Sequence, residues 1–113
     1  MRYLPLTGAA ALLGAAVIAC PAQAQTHAFG TVTMVRTGWN AEVFAVVLNV
    51  PVQNPAGCVS PDGYMTEGSL PGYRTYLSAA LTAFANKGPV QVVVDDRVCL
   101  IGRPKLIGIN LTR

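Results

Sequence analysis

Apolar and polar positions alternate from Phe29 onward. Gly30, Val32 and Met34 fall on one face and Thr31, Thr33 and Val35 on the other, the period-2 pattern of a half-buried strand. Thr37-Gly38-Trp39-Asn40 reads as a turn. The run from Glu42 to Val50 is rich in β-branched residues and apolar on both faces, which predicts a central, buried second strand that closes a hairpin with the first. From Pro51 to Gly72 the pattern dissolves among Pro51, Pro55, Pro61 and Pro71 and four glycines. A connection this long in a small domain is either a functional surface or hides a short strand, at Cys58-Val59 or at Tyr64-Met65.

The period then changes to that of a helix. Tyr73, Tyr76, Leu77, Ala80, Leu81 and Phe84 form one apolar stripe, with Arg74, Thr75, Ser78 and Thr82 opposite, so a helix is predicted from Tyr73 to about Asn86, ended by Gly88 and Pro89. Val90 to Val94 reads as a strand, Asp95-Asp96 as a turn, and Arg97 to Ile101 as the hairpin partner, broken by Gly102-Arg103-Pro104. Lys105 to Thr112 alternates again as a last strand. The order β-β-(β)-α-β-β-β predicts an α+β domain. One helix sits between an N-terminal hairpin and the C-terminal strands and covers a small, strongly curved antiparallel sheet of about five strands, for which an OB-like barrel is a natural closure.

The N-terminal residues follow a different logic. Arg2 precedes the apolar run Ala9 to Cys20, which fits the roughly 7–15 residues of a secretory h-region and falls short of the roughly 20 of a membrane span. Ala22-Gln23-Ala24 is a small-residue cleavage site, so residues 1–24 are read as a cleavable signal peptide and 25–113 as a single small domain in the periplasm or secreted. Val17-Ile18-Ala19-Cys20 also has the form of a lipobox, the alternative being a lipoprotein anchored through Cys20. No other stretch is long and apolar enough to span a bilayer.

Eight Lys and Arg against five Asp and Glu give a net charge of +3, and cleavage removes only Arg2. The remaining basic residues are scattered, which argues against a nucleic-acid footprint. Processing also removes one of three cysteines, leaving Cys58 and Cys99, a pair suited to a disulfide in an oxidising compartment; two free buried thiols are the alternative.

Chemistry-bearing residues are few. His27 is the only histidine and falls near the expected mature N-terminus, where a mobile end is the simpler reading, and no Ser, His and Asp set can be built without it. Neither the cysteines nor Asp95-Asp96 have a metal-ligand or paired-carboxylate spacing, and no glycine-rich phosphate loop follows a strand. The sequence thus points to a non-enzymatic protein with no catalytic residue, no metal and no cofactor. What remains is Trp39 flanked by Arg36, Thr37 and Asn40 in the first turn, and Tyr64 in the long loop. A ring beside hydrogen-bonding groups is the usual make-up of a sugar or partner contact, and these five are the candidate ligand-binding residues. Trp39 folded back over the barrel mouth as core is the competing arrangement.

Several segments together resemble a group of small exported bacterial proteins similar to the B subunit of subtilase cytotoxin. They are the glycine-led strand Gly30-Thr-Val-Thr-Met, the Thr37-Gly38 turn, a helix ending in Leu81-Thr-Ala-Phe-Ala-Asn-Lys-Gly88, a short Val-rich strand, Cys99, and the final Ile107-Gly-Ile-Asn110. The resemblance implies an OB-like fold, a homo-oligomeric ring of five, and recognition of cell-surface glycans. The chain departs from that group in its single expected disulfide and in having no readable sugar-binding motif, so no binding residue is carried over. The expectation is a binding module for a glycan, or for a protein carrying one. The alternative is a periplasmic structural or inhibitory protein that holds a protein partner.

Overall fold

The computed structural model describes residues 25–38 and 40–113; the expected signal peptide, the Cys20 alternative and Trp39 lie outside the described residues. Five strands and one helix follow in the order β1 (Gln25–Thr37), β2 (Val43–Leu48), β3 (Tyr64–Glu67), α1 (Tyr73–Asn86), β4 (Pro89–Leu100) and β5 (Arg103–Leu111). The strands close into a barrel in the order β1-β2-β3-β5-β4, with β4 returning to β1. This is the α+β, OB-like architecture that the pattern predicts.

Closure depends on β1 serving two neighbours. Its first half pairs with β4 (His27↔Val93, Phe29↔Gln91) and its second half with β2 (Val35↔Val46, Arg36↔Ala45), a register shift between Val32 and Met34 turning the strand from one sheet to the other. His27 is therefore a paired strand residue, whose Nδ1 lies 2.9 Å from Gln91 Nε2, and not part of a loose terminus. The helix crossover lets β3 and β5 meet in parallel at Met65↔Lys105, so the sheet is not wholly antiparallel.

The third strand is the Tyr64-Met65 alternative, while Cys58-Val59 stays outside any strand. Asp95-Asp96 is not a turn. β4 runs through it, and the pairing jumps from Val94↔Leu106 to Cys99↔Pro104, leaving a bulge in which Asp95 Oδ1 accepts from the amides of Arg97 and Val98 at 2.8 and 3.1 Å. Two acidic residues side by side imitate a turn in sequence, but here the carboxylate satisfies the amides of the bulge. Arg97 to Ile101 is thus no separate hairpin partner. The true turn is Ile101-Gly102, directly joining β4 to β5.

The core holds Ala28, Val32, Phe44, Val46, Leu48, Tyr64, Val90, Val92, Val94 and Leu106, closed at one end by Ala80 and Ala83 of α1. The helix lies close because these contacts are alanines. Leu81 and Phe84, expected within the buried stripe, are about half exposed at its margin, where the wider side chains have no room below. Gly72 begins the helix at φ 84, and a Cβ there would strike the ring of Tyr76, whose hydroxyl donates to the Ile107 carbonyl at 2.7 Å.

Candidate functional site

Along β2, Phe44, Val46 and Leu48 face the core, so Val43 and Ala45 face outward; Met65 on β3 does the same, since Tyr64 points in. These outward residues are nonetheless buried. Across the strands Arg36 stands opposite Ala45, Ala45 opposite Met65, and Met65 opposite Lys105, giving a row with an apolar centre and a cation at each end.

Above this floor, the segment after β2 is fastened to the barrel. Asn54 brackets Cys58, its Nδ2 donating to the Cys58 carbonyl at 2.9 Å and its Oδ1 accepting from the Cys58 amide at 2.7 Å. Cys58 forms the disulfide with Cys99, with Cα atoms 5.8 Å apart. The Ser60 amide donates to the Gly102 carbonyl at 2.8 Å, tying the segment to the β4–β5 turn. Asp62 then receives two arginines from different strands. Arg36 reaches it through Nη1 and Nη2 at 3.3 and 3.0 Å, and Arg103 through Nε and Nη2 at 2.6 and 3.2 Å. Hydrogen bonds from Arg36 first and Arg103 second hold the Asp62 carboxyl well below the usual carboxylate range.

Beside the cluster an open groove of about 340 Å³ is lined by Ala41, Val43, Met65, Ile101 and Arg103. It lies between the β1–β2 turn and the β4–β5 turn, on the outer side of β2 and β3, which is the face that OB-type barrels use for ligands. Two larger grooves flank the C-terminal end of α1, one of 410 Å³ beside Leu111 and one of 540 Å³ beside Phe84. Thr82, Asn86, Thr112 and Arg113 line the first, and Thr31, Thr33 and Lys87 the second, but neither lies between the β1–β2 and β4–β5 turns.

The candidate residues read from sequence fare unequally. Arg36 lies at the end of the row and is engaged by Asp62. Thr37 ends β1, and Asn40, at φ 60, is an exposed turn residue; both lie on the approach to Ala41. Tyr64 is 1% exposed inside the barrel, its hydroxyl accepting from the Gln53 amide at 2.8 Å, so it is core and not a surface ring; burial pushes its phenol pKa up. The sequence offered Tyr64-Met65 as one of two places for a short strand, but four residues after Gly63 are too few to show which face turns inward. Sequence reasoning also passed over Asp62, Arg103, Met65 and Ile101. Only the Ile101-Gly102 pair carried a signal, as a hairpin turn hidden inside an apparent strand.

Among the described residues no group of three or more His, Cys, Asp or Glu is placed to hold a metal, and no helix is long and apolar enough to cross a membrane. The disulfide fits export to an oxidising compartment. Comparison with protein-family models, with curated protein sequences and with solved structures finds no match to this chain.

Proposed function

We propose that the chain is an exported, non-enzymatic binding module of the periplasm or the secreted fraction, and that its ligand sits on the outer face of β2 and β3 between the two turns. The observation that carries this reading is the groove of about 340 Å³ with an apolar floor of Val43 and Met65 and the charged Arg103 at its wall. An apolar recess with a few convergent polar groups is the common form of a binding site. The large exposed side chain in its lining is the aliphatic Ile101, which favours a protein partner over a sugar.

A glycan is the second reading, supported by the location on the ligand face of an OB-like barrel and by Arg36, Thr37 and Asn40 near one end of the groove. A five-membered ring, as the resemblance implies, would multiply weak sites by avidity. Panning a displayed library of random twelve-residue peptides, alongside a glycan array, separates the two readings. The Ala41→Trp variant fills the groove from its exposed rim, and binding of the winning ligand is expected to fall at least tenfold. Equal binding by this variant sinks the proposed face.

A further inference from the structure

His27, the only histidine, takes no part in the proposed binding face. Its position gains meaning from the expected cleavage after Ala24, because the mature chain then begins Gln25-Thr26-His27, with a terminal amine, the main-chain amides of Thr26 and His27 and, in third place, an imidazole. These nitrogens follow one another along the chain, so a single ion can take the amine, both amides and the imidazole Nδ1 in consecutive chelate rings lying in one plane. Copper(II) and nickel(II) favour such a tetragonal nitrogen field, whereas zinc(II) settles into a tetrahedron. A site of this kind is built from main chain and one ring, and it needs no cluster of His, Cys, Asp or Glu side chains.

The fold lets this end leave the barrel. Gln25, Thr26 and His27 are polar, Gln25 and His27 are exposed, and the first residue of β1 in the core is Ala28, so peeling the end from β4 takes no core residue with it. Thr31 bonds toward β2, its carbonyl accepting from the Asn49 amide at 3.0 Å and its amide donating to Asn49 Oδ1 at 2.9 Å. The β1–β4 ladder runs unbroken from Gln25 to Thr31, and by its alternation the His27 amide also points away from β4 while the Thr26 amide points toward Val94. Metal binding must therefore break the Thr26 pair with Val94, the bond from the Thr26 hydroxyl to Asp96 Oδ1, and the 2.9 Å contact between His27 Nδ1 and Gln91 Nε2. All of these lie at the end of a strand, where local opening costs least.

We propose that removal of residues 1–24 creates a copper(II) site at the mature N-terminus, formed by the Gln25 amine, the Thr26 and His27 amide nitrogens and His27 Nδ1. Binding releases the protons of both amides, and any proton on the amine, to solvent, and no electron is transferred. Asp95 stands opposite Gln25, and Asp96 accepts from Thr26, so carboxylates beside this end draw a cation toward it. The site rests on export with cleavage after Ala24 and is independent of the binding face on β2 and β3.

The test uses the full chain expressed with its leader, recovered after export, sequenced from its N-terminus and weighed intact. A protein that begins at Gln25 with its amine intact should take up copper(II) to a single equivalent, with the absorption and electron paramagnetic resonance of a tetragonal nitrogen complex, and zinc(II) at the same concentration should not displace it. His27→Ala, and separately a mature chain carrying one extra alanine before Gln25, should each weaken binding by about a hundredfold or more. The extended chain keeps the histidine and its contacts, so it separates the main-chain chelate from a lone imidazole. Nickel(II), diamagnetic in this geometry, should speed amide exchange at Val94 and leave β2 and β3 unchanged. Undiminished copper binding by the extended chain, or displacement by zinc(II), overturns the site. A mature chain that starts at Cys20, or whose Gln25 amine is closed into a pyroglutamate ring, overturns the site and leaves export standing, whereas a chain that keeps residues 1–24 overturns both.

Discussion

Asp62 shows how one side chain can organise a surface. It is about half exposed, so each ion pair taken alone is worth little, but two guanidiniums from separate strands share its two oxygens and form a network. Asp62→Asn is expected to cost about 1 kcal/mol at pH 7, since it removes the carboxylate that both guanidiniums share. The carboxyl is held below its unfolded value, so its contribution is full above an unfolded pKa of about 4 and is lost as pH falls through the folded value. Urea unfolding curves of wild type and variant should therefore stay separated from pH 7 to about 4 and converge below. A gap that is unchanged at pH 2 would show that the cluster does not supply it. The two arginines were legible as basic residues, but their convergence was not, because residues 36, 62 and 103 meet only in the closed barrel.

Elements follow their local patterns where one face alone decides them. The helix appears at Tyr73–Asn86 as its period and stop signals require, but the alternation of the terminal strands is broken by register shifts: in β1 Met34 turns outward and Val35 packs against the core, and in β5 both Leu106 and Ile109 reach the core. Patterns failed where pairing overrode them. Asp95-Asp96 lies within a strand because β1 holds that strand in place, with Gln25 opposite Asp95 and Thr26 opposite Val94. The segment between β2 and β3 has no ladder of its own and depends on its fastenings, of which the disulfide, spanning 41 positions, is the covalent one. Reduction is expected to lower stability by about 4 kcal/mol in the chain-entropy account. It should also speed amide exchange of residues 54–63 more than that of β1 and β4. Uniform acceleration along the chain would mean that the segment is held by other contacts.

At the scale of the molecule, barrel closure joins strands that are distant in sequence. The β1–β2 hairpin is local, but the other edge of β1 must find β4, which comes only after the helix. Such non-local pairing slows folding, so refolding with the disulfide intact should take milliseconds to seconds and not microseconds. Stopped-flow circular dichroism checks this, and a microsecond phase carrying the whole signal would contradict it. Closure also creates the candidate site. The β1–β2 and β4–β5 turns are far apart in sequence, and the β3–β5 contact at Met65 and Lys105, with Asp62 bridging Arg36 and Arg103, brings them to one groove.

Composition and periodicity alone determined the class of the chain, the helix, most of the strands, the expected Cys58–Cys99 pair and the absence of a recognisable catalytic motif, because each rests on neighbours in sequence or on residue counts. The tertiary structure decided the rest. It moved Tyr64 from a loop into the core, turned Asp95-Asp96 from a turn into a bulge, placed Ile101 in the β4–β5 turn, and gathered Arg36, Asp62 and Arg103 around one carboxylate. All four depend on strand register and barrel closure. These are properties of partners distant in the chain, and no local pattern of apolar and polar positions encodes them.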